Sequence, residues 1–386
     1  MSRSADRADR GGCDGVVVSG NRHYFGGTRR FSSVNQAGCY LGILGFGNVC
    51  DTMTATIDRR RFLASLPALL AAPRLLAQET ARLKIRGFNH VALGVSDMRR
   101  SVDFYQGLFG LPVLAQTDTN TRLRIGPGPQ FLALLAPVSG VRIDHFSLGV
   151  DDYNADRTLA ILREHGVVKS EQRGPMKVVL EQGRPEMAIG DPDGIIVQLR
   201  DATYPPNETA KPAPKPGLIA LKGYSHCTVF STDAQRSNAF YRDVFGMGIR
   251  SYQGPTAPTL AVGPGVEFVM FAGGGATGSG RAGAGGAAAA PPRPASINHF
   301  CMTVENFRPD EILKALERYG IKPRESQTGS VGPLRYYISM RMENRGGAKE
   351  GTPELYFTDP DGILVQLQDV RYCGGAGVLG NVCPQA

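Results

Sequence analysis

Four of the six histidines in this 386-residue chain stand at one equivalent place in four similar segments. They are His90 in Phe88-Asn89-His90-Val91, His145 in Ile143-Asp144-His145-Phe146, His226 in Tyr224-Ser225-His226-Cys227, and His299 in Ile297-Asn298-His299-Phe300. Each segment reads as a short strand, in which alternate side chains face opposite ways. Val91/Leu93, Phe146/Leu148, Cys227/Val229 and Phe300/Met302 then form one apolar face. The histidines share the other face with Ala92, Ser147, Thr228, Cys301 and Thr303, as expected of a cavity lining. Polar groups inside a curled sheet need partners. Imidazoles gathered there could be hydrogen-bonded core residues, or they could act as ligands or proton carriers, and duplication would copy either.

A second repeat lies downstream of these strands. Gly190–Asp201 and Thr358–Asp369 share the run Asp-Pro-Asp-Gly-Ile, a turn signal, followed by an alternating strand. With Ile363, Val365 and Leu367 on the apolar side, Leu364, Gln366 and Gln368 point inward, as do Ile196, Gln198 and Arg200 in the first copy. Glu186 and Glu354 each precede an Asp-Pro-Asp-Gly turn by five residues and point the same way. Tyr356 lies ten residues before Gln366, where the first copy has Ala188, so the second copy is the better candidate for chemistry. Cys301 reads as a small wall residue, Glu267 as a solvated edge residue, and the two Asp-Pro-Asp-Gly turns as structural.

The elements that must position these side chains also repeat. Ser101–Gly110 and Ser237–Gly246 read as matching amphipathic helices closed by Gly, and Asp156–His165 and Asp310–Tyr319 as a second pair, each followed by Gly. Strands and turns after each helix give four β-α-β-β-β units in an α+β chain. The expected layout has a first half at 86–202, a Pro-rich linker at 203–218, a second half at 219–372 and a tail at 373–386. A Gly/Ala/Pro run at 273–296 reads as a loop to which no chemistry is assigned.

Composition excludes several classes. With 42% hydrophobic and 20% charged residues the chain is neither disordered nor a membrane protein overall. Half of the net charge of +8 comes from residues 1–79, which hold ten Arg against six acidic residues, and no basic stripe suggests nucleic acid. Arg59-Arg60-Arg61-Phe62-Leu63 precedes an apolar stretch, Ala64 to Leu76, interrupted by Pro67, Pro73 and Arg74. This resembles a twin-arginine export signal over 53–80 and implies a periplasmic or otherwise exported protein without stable membrane insertion. Met53 stands just ahead of it, so residues 1–52 read as an upstream extension. Cys373 and Cys383 could pair in an oxidising compartment or remain free thiols.

The paired units, the strand histidines, the Phe-Tyr-x-x-x-Phe-Gly helices and the Asp-Pro-Asp-Gly strands together resemble the vicinal oxygen chelate superfamily, which includes glyoxalase I, bleomycin resistance proteins and extradiol dioxygenases. The resemblance covers roughly 86–202 and 219–372. It implies two glyoxalase-like halves whose curled mixed sheets enclose cup-shaped cavities. It further implies a divalent metal, Fe(II), Mn(II) or Zn(II), held by two histidines and a last-strand carboxylate. Carried over, the ligands are His226, His299 and Gln366, and in the first half His90, His145 and Gln198; both third ligands are Gln where Glu is expected. Tyr356 falls at the spacing of the dioxygenases' active-site Tyr, with Glu354, Cys301 and Gln368 lining the pocket. The acid–base histidine of ring cleavage has no counterpart in Gly263–Gly286, and Phe131–Leu135 lacks the fourth glyoxalase ligand. The expected function is an exported metalloenzyme acting on a small substrate through vicinal oxygens, with ring-cleaving dioxygenase ahead of lyase or isomerase. A metal-free small-ligand or resistance-type protein is the alternative. Exchange of modules between copies makes a homodimer one expected arrangement.

Overall fold

In the computed structural model the described residues are 81–135, 140–180, 186–204, 209–273, 294–327 and 329–375. The upstream extension, the export-signal segment and most of the Gly/Ala/Pro run lie outside them. The chain builds two nine-stranded mixed sheets of the same topology. In the first half, β1 (Ile85–Gly94), α1 (Met98–Phe109), β2 (Val113–Gln116), β3 (Asn120–Arg124) and β4 (Phe131–Leu135) form one module. The next runs β5 (Arg142–Val150), α2 (Ala155–Glu164), β6 (Val168–Lys169), β7 (Lys177–Leu180), β8 (Met187–Gly190) and β9 (Ile196–Asp201). The sheet order is β2-β3-β4-β1-β5-β9-β8-β7-β6, so the antiparallel β1/β5 pair welds two modules into one sheet.

The second half repeats this plan. Its first module holds β10 (Gly223–Ser231), α3 (Ala234–Phe245), β11 (Ile249–Tyr252), β12 (Pro258–Ala261) and β13 (Phe268–Gly273). Its second holds β14 (Ser296–Val304), α4 (Pro309–Tyr319), β15 (Lys322–Pro323), β16 (Arg335–Arg341), β17 (Thr352–Thr358) and β18 (Leu364–Asp369). The four β-α-β-β-β units expected from sequence are present, with a two-residue extra strand (β6, β15) in the second module of each half. Among the described residues, no helix is long and apolar enough to cross a membrane.

Local chemistry sets the helix limits. Asp97 and Asp233 cap the starts of α1 and α3 through their side chains, Asn154 caps α2, and Pro309 opens α4. The caps move the starts of α1 and α3 three residues ahead of the amphipathic runs visible in sequence. Gly110 and Gly246 close α1 and α3 at positive φ (66° and 63°), a conformation that favours glycine.

The apolar strand faces and the helices make one core that spans both halves. Phe104 and Phe109 of α1 pack on Phe357 of β17, Tyr241 of α3 packs on Phe146 of β5, and Phe88 meets Tyr224 at 4.5 Å. Each half thus lends its first helix to the other half's sheet.

The Asp-Pro-Asp-Gly turns explain how this seam is held. The first Asp builds the turn: Asp191 Oδ1 accepts from the N–H groups of Asp193 and Ile195, and Asp359 Oδ1 from those of Asp361 and Ile363. Its other oxygen accepts from a tyrosine across the seam, Tyr241 for Asp191 and Tyr105 for Asp359. The second Asp crosses over completely. Asp193 accepts from Ser231, Thr232 and Arg236 at the start of α3, and Asp361 from Ser96 and Arg100 at the start of α1.

A matching pair lies deeper in the seam. Glu267 accepts the Phe88 N–H at 2.7 Å, Gln130 accepts the Tyr224 N–H at 2.6 Å, and Gln130 Nε2 donates to Glu267 at 2.7 Å. Glu267 is therefore not the solvated edge residue expected from sequence. It is a half-buried residue whose carboxyl group turns inward to cap a strand of the other half. The linker also lies on the first half, where Lys211 and Val113 exchange backbone hydrogen bonds at 2.8 Å. Cys373 is disulfide-bonded, and Cys383 lies outside the described residues.

Candidate metal centre

Strand register brings the second-half candidates together. Thr228 of β10 pairs with His299 of β14, Cys301 of β14 with Gln366 of β18, and Gln366 with Tyr356 of β17. Because these strands are neighbours, inward side chains from all four converge on one cup. Its volume is about 320 Å³, and its lining includes His226, His299, Gln366, Glu354 and Tyr356. Cys301 and Gln368 are fully enclosed instead. Burial, then the charge of Glu354, raises the Cys301 thiol pKa well above its usual value, so it stays protonated. The Gln368 amide donates to Pro353 O and accepts from the Asp369 N–H.

The two histidines are oriented by their neighbours in sequence. Ser225 Oγ lies 3.2 Å from His226 Nδ1, and Asn298 Oδ1 lies 2.8 Å from His299 Nδ1. The rings stand nearly perpendicular, 5.6 Å between centroids, and His226 stacks on Phe268 at 4.2 Å. Gln366 Oε1 sits 3.0 Å from His226 Nε2 and also hydrogen-bonds His299. Burial, then the neighbouring His299, holds the His226 pKa well below its usual value, and burial pushes His299 down to about 3. Both imidazoles are neutral at physiological pH, the form that binds a metal.

These residues fit a divalent cation. His226 Nε2 and Gln366 Oε1 lie 3.0 Å apart, as two ligands at about 2.1 Å around a shared ion do, and His299 borders the same amide. Gln366 Nε2 is buried without a hydrogen-bond partner, so its amide is held in place by the histidine side alone. Among the described residues, no cluster of three or more His, Cys, Asp or Glu could hold a metal. Glu354 is not a free ligand, because Arg341 Nε and Nη2 bind its Oε1 at 2.7 and 2.6 Å, joined by Tyr372 at 2.8 Å. The Gln366 amide oxygen, set against His226 Nε2, is the oxygen best placed for a centre in this cup.

The first half holds the same histidines in a different setting. His90 Nε2 lies 3.2 Å from His145 Nε2, and their Nδ1 atoms meet Asn89 and Asp144. Arg200, however, donates to Gln198 Oε1 at 3.0 Å and to Glu186 at 2.9 Å. It also lies 4.3 Å from the Tyr204 ring centroid. Burial, His145 and then Arg200 hold the His90 pKa well down. A guanidinium thus already occupies the oxygen that a cation would need, so this set does not fit a second metal.

Sequence reasoning did not single out Arg341, Tyr372, Tyr337, Arg324 or Arg345, nor the role of Arg200. For Arg341 a signal existed: it alternates with Tyr337 and Ser339 on β16, and all three line the cup.

The family model for the glyoxalase/bleomycin resistance protein/dioxygenase superfamily matches residues 87–199 and 223–367, and the chain belongs to that superfamily. A probable chloroplastic lactoylglutathione lyase of Arabidopsis thaliana is 26% identical over 202 residues, covering 47% of this chain and 52% of that protein. The chain thus spans about half the length of this curated relative. A homoprotocatechuate 2,3-dioxygenase from B. fuscum shares the fold at TM-score 0.51 and 16% identity, covering 79% of this chain and 76% of that one. A Mn(II)-bound glyoxalase from Novosphingobium aromaticivorans aligns with TM-score 0.49 at 16% identity, over 75% of this chain and 83% of that one.

Proposed function

We propose that the second half is a mononuclear divalent-metal site, formed by His226, His299 and Gln366, which binds a small substrate through two adjacent oxygens. The convergence of two neutral imidazoles and an amide oxygen in one cup carries this reading. When bound, Fe(II), Mn(II) or Zn(II) would supply Lewis acidity there, and Fe(II) also oxygen chemistry. A neutral third ligand leaves the ion's full charge for the substrate oxygens. The chain's own residues then orient the substrate. Tyr356 is kept protonated by burial and the charge of Glu354, so it serves as a donor and not as a base. Its present contact to Glu354 Oε2 is long, 3.4 Å, and a substrate oxygen can replace it. The Arg341–Glu354 pair fixes that wall, and the Phe268 ring fixes His226.

The two-half layout and the spacing of Tyr356 ten residues before Gln366 favour extradiol-type ring cleavage over lyase or isomerase chemistry. A metal-free ligand-binding protein is the second reading, favoured by the amide at the third position. Elemental analysis of purified protein with and without His226→Ala/His299→Ala separates the two. The first reading expects about one metal per chain, lost in the variant; a metal content near zero, unchanged by the variant, refutes it. Gln366→Glu should then tighten metal binding. We also propose that Arg59-Arg60-Arg61-Phe62-Leu63 directs export, which cell fractionation before and after an Arg59→Lys/Arg60→Lys/Arg61→Lys change would test; unchanged distribution would sink it.

A further inference from the structure

We infer that the second cup selects substrates carrying a carboxylate, which Arg324 and Arg345 bind at the end away from the histidines. This rests on the cup being the working site proposed above. The strands order the wall: His299 on β14, Gln366 on β18, Tyr356 on β17, Tyr337 on β16, and Arg324 immediately after β15. Successive members touch. His299 meets Tyr356 edge-on at 5.3 Å, Tyr356 stacks on Tyr337 at 5.0 Å, and the Arg324 guanidinium lies 4.8 Å from the Tyr337 ring centroid. A planar substrate lying along these rings has its chelating end at the histidines and its other end at a guanidinium, within about 10 Å of the Tyr356 ring.

The charges along this wall do not balance. Three arginines line the cup, Arg324, Arg341 and Arg345, against one carboxylate, Glu354. The charge of Glu354 is paired with Arg341 through Oε1, both side chains being buried. Arg324 donates to the backbone oxygens of Ser326 and Gly329, and among the described residues neither it nor Arg345 has an ion pair. Among the described residues lining the cup, no other carboxylate offsets the two guanidinium charges. A guanidinium partly withdrawn from water and packed on an aromatic ring is a strong, planar receptor for a carboxylate. A cup with this excess charge also draws anions in.

The test uses the full chain with two pairs of probes. On Zn(II)-loaded protein, calorimetry compares 3,4-dihydroxybenzoate with catechol. On metal-free protein, ligand-observed NMR compares benzoate with benzyl alcohol, so the carboxylate is read without any chelation. The expected preference for the carboxylate is about tenfold or more in each pair, weakening as salt is raised. It should disappear in Arg324→Gln/Arg345→Gln while the circular dichroism melt is unchanged. Equal affinity within the metal-free pair, or a preference that survives the double change, overturns the inference. Should the double variant not fold, the wild-type comparison alone still decides. Catechol binding indifferent to Zn(II) would instead overturn the metal reading and leave the carboxylate result standing.

Discussion

Replacing Glu267 by Gln should change the sign of its effect on stability as pH rises. The Glu267 carboxyl accepts from the Phe88 N–H and from Gln130, which favours the ionised form, yet burial outweighs both and raises its pKa from 4.5 to about 8. In the unfolded chain the group ionises near 4.5. Between those values the native state keeps a proton that the unfolded state has released, so wild-type stability falls as pH rises through this window and levels off above it. At ~1.4 kcal/mol for each tenfold step the gap corresponds to about 5 kcal/mol. Solvent at the edge of this half-buried residue screens part of that, leaving an expected loss of about 2 to 3 kcal/mol between pH 5 and pH 8.5. Gln does not titrate. It still accepts from Phe88 but sets an amide N–H against Gln130 Nε2, a pH-independent cost of about 1 kcal/mol. Wild type should therefore be the more stable protein at pH 5, and Glu267→Gln at pH 8.5. Urea unfolding followed by far-UV circular dichroism, with tyrosine fluorescence as a second probe because the chain has no Trp, measures both. A difference between the two proteins that is the same at both pH values refutes the reasoning.

Three further outcomes are expected. Arg341→Leu strands a buried carboxylate and should cost about 3 to 5 kcal/mol, most of it recovered in Arg341→Leu/Glu354→Leu; denaturation curves without that recovery would disprove the pairing. Asp193→Ala and Asp361→Ala each remove an enclosed carboxylate and its cross-seam donors, so each should lose about 2 kcal/mol, and the losses should add in the double variant; one harmless change would break the equivalence of the two turns. Gly347→Ala would place a methyl group 1.7 Å from the Arg341 carbonyl oxygen, forcing the end of β16 to move. We expect a thermal melt lowered by about 2 kcal/mol of stability, and an unchanged melt would mean that this end of β16 is free to shift.

The parts of this architecture that follow local rules were readable in sequence. Strand alternation placed His226, His299, Gln366, Glu354 and Tyr356 on one face, because a period of two depends only on neighbouring residues. The first Asp of each Asp-Pro-Asp-Gly was likewise legible, since its bonds reach two and four residues ahead. The second Asp was not: Asp361 reaches Arg100 from 261 positions away, and Glu267 reaches Phe88 from 179. Arg200 was visible as an inward residue, but its grip on Gln198 and Glu186 depends on how a long side chain folds back across its own sheet. Arg324 and Arg345 sit outside regular strands, where alternation gives no direction.

The reciprocal turns have a consequence for the chain's history. Since each copy's turn secures the other copy's first helix, neither copy can be discarded without exposing the core they hold in common. The cups face away from that core and are under no such obligation. A duplicated gene so arranged is free to let one cup fall silent, as the arginine lodged among the first-half ligands suits, while its scaffold is retained as an indispensable companion to the other.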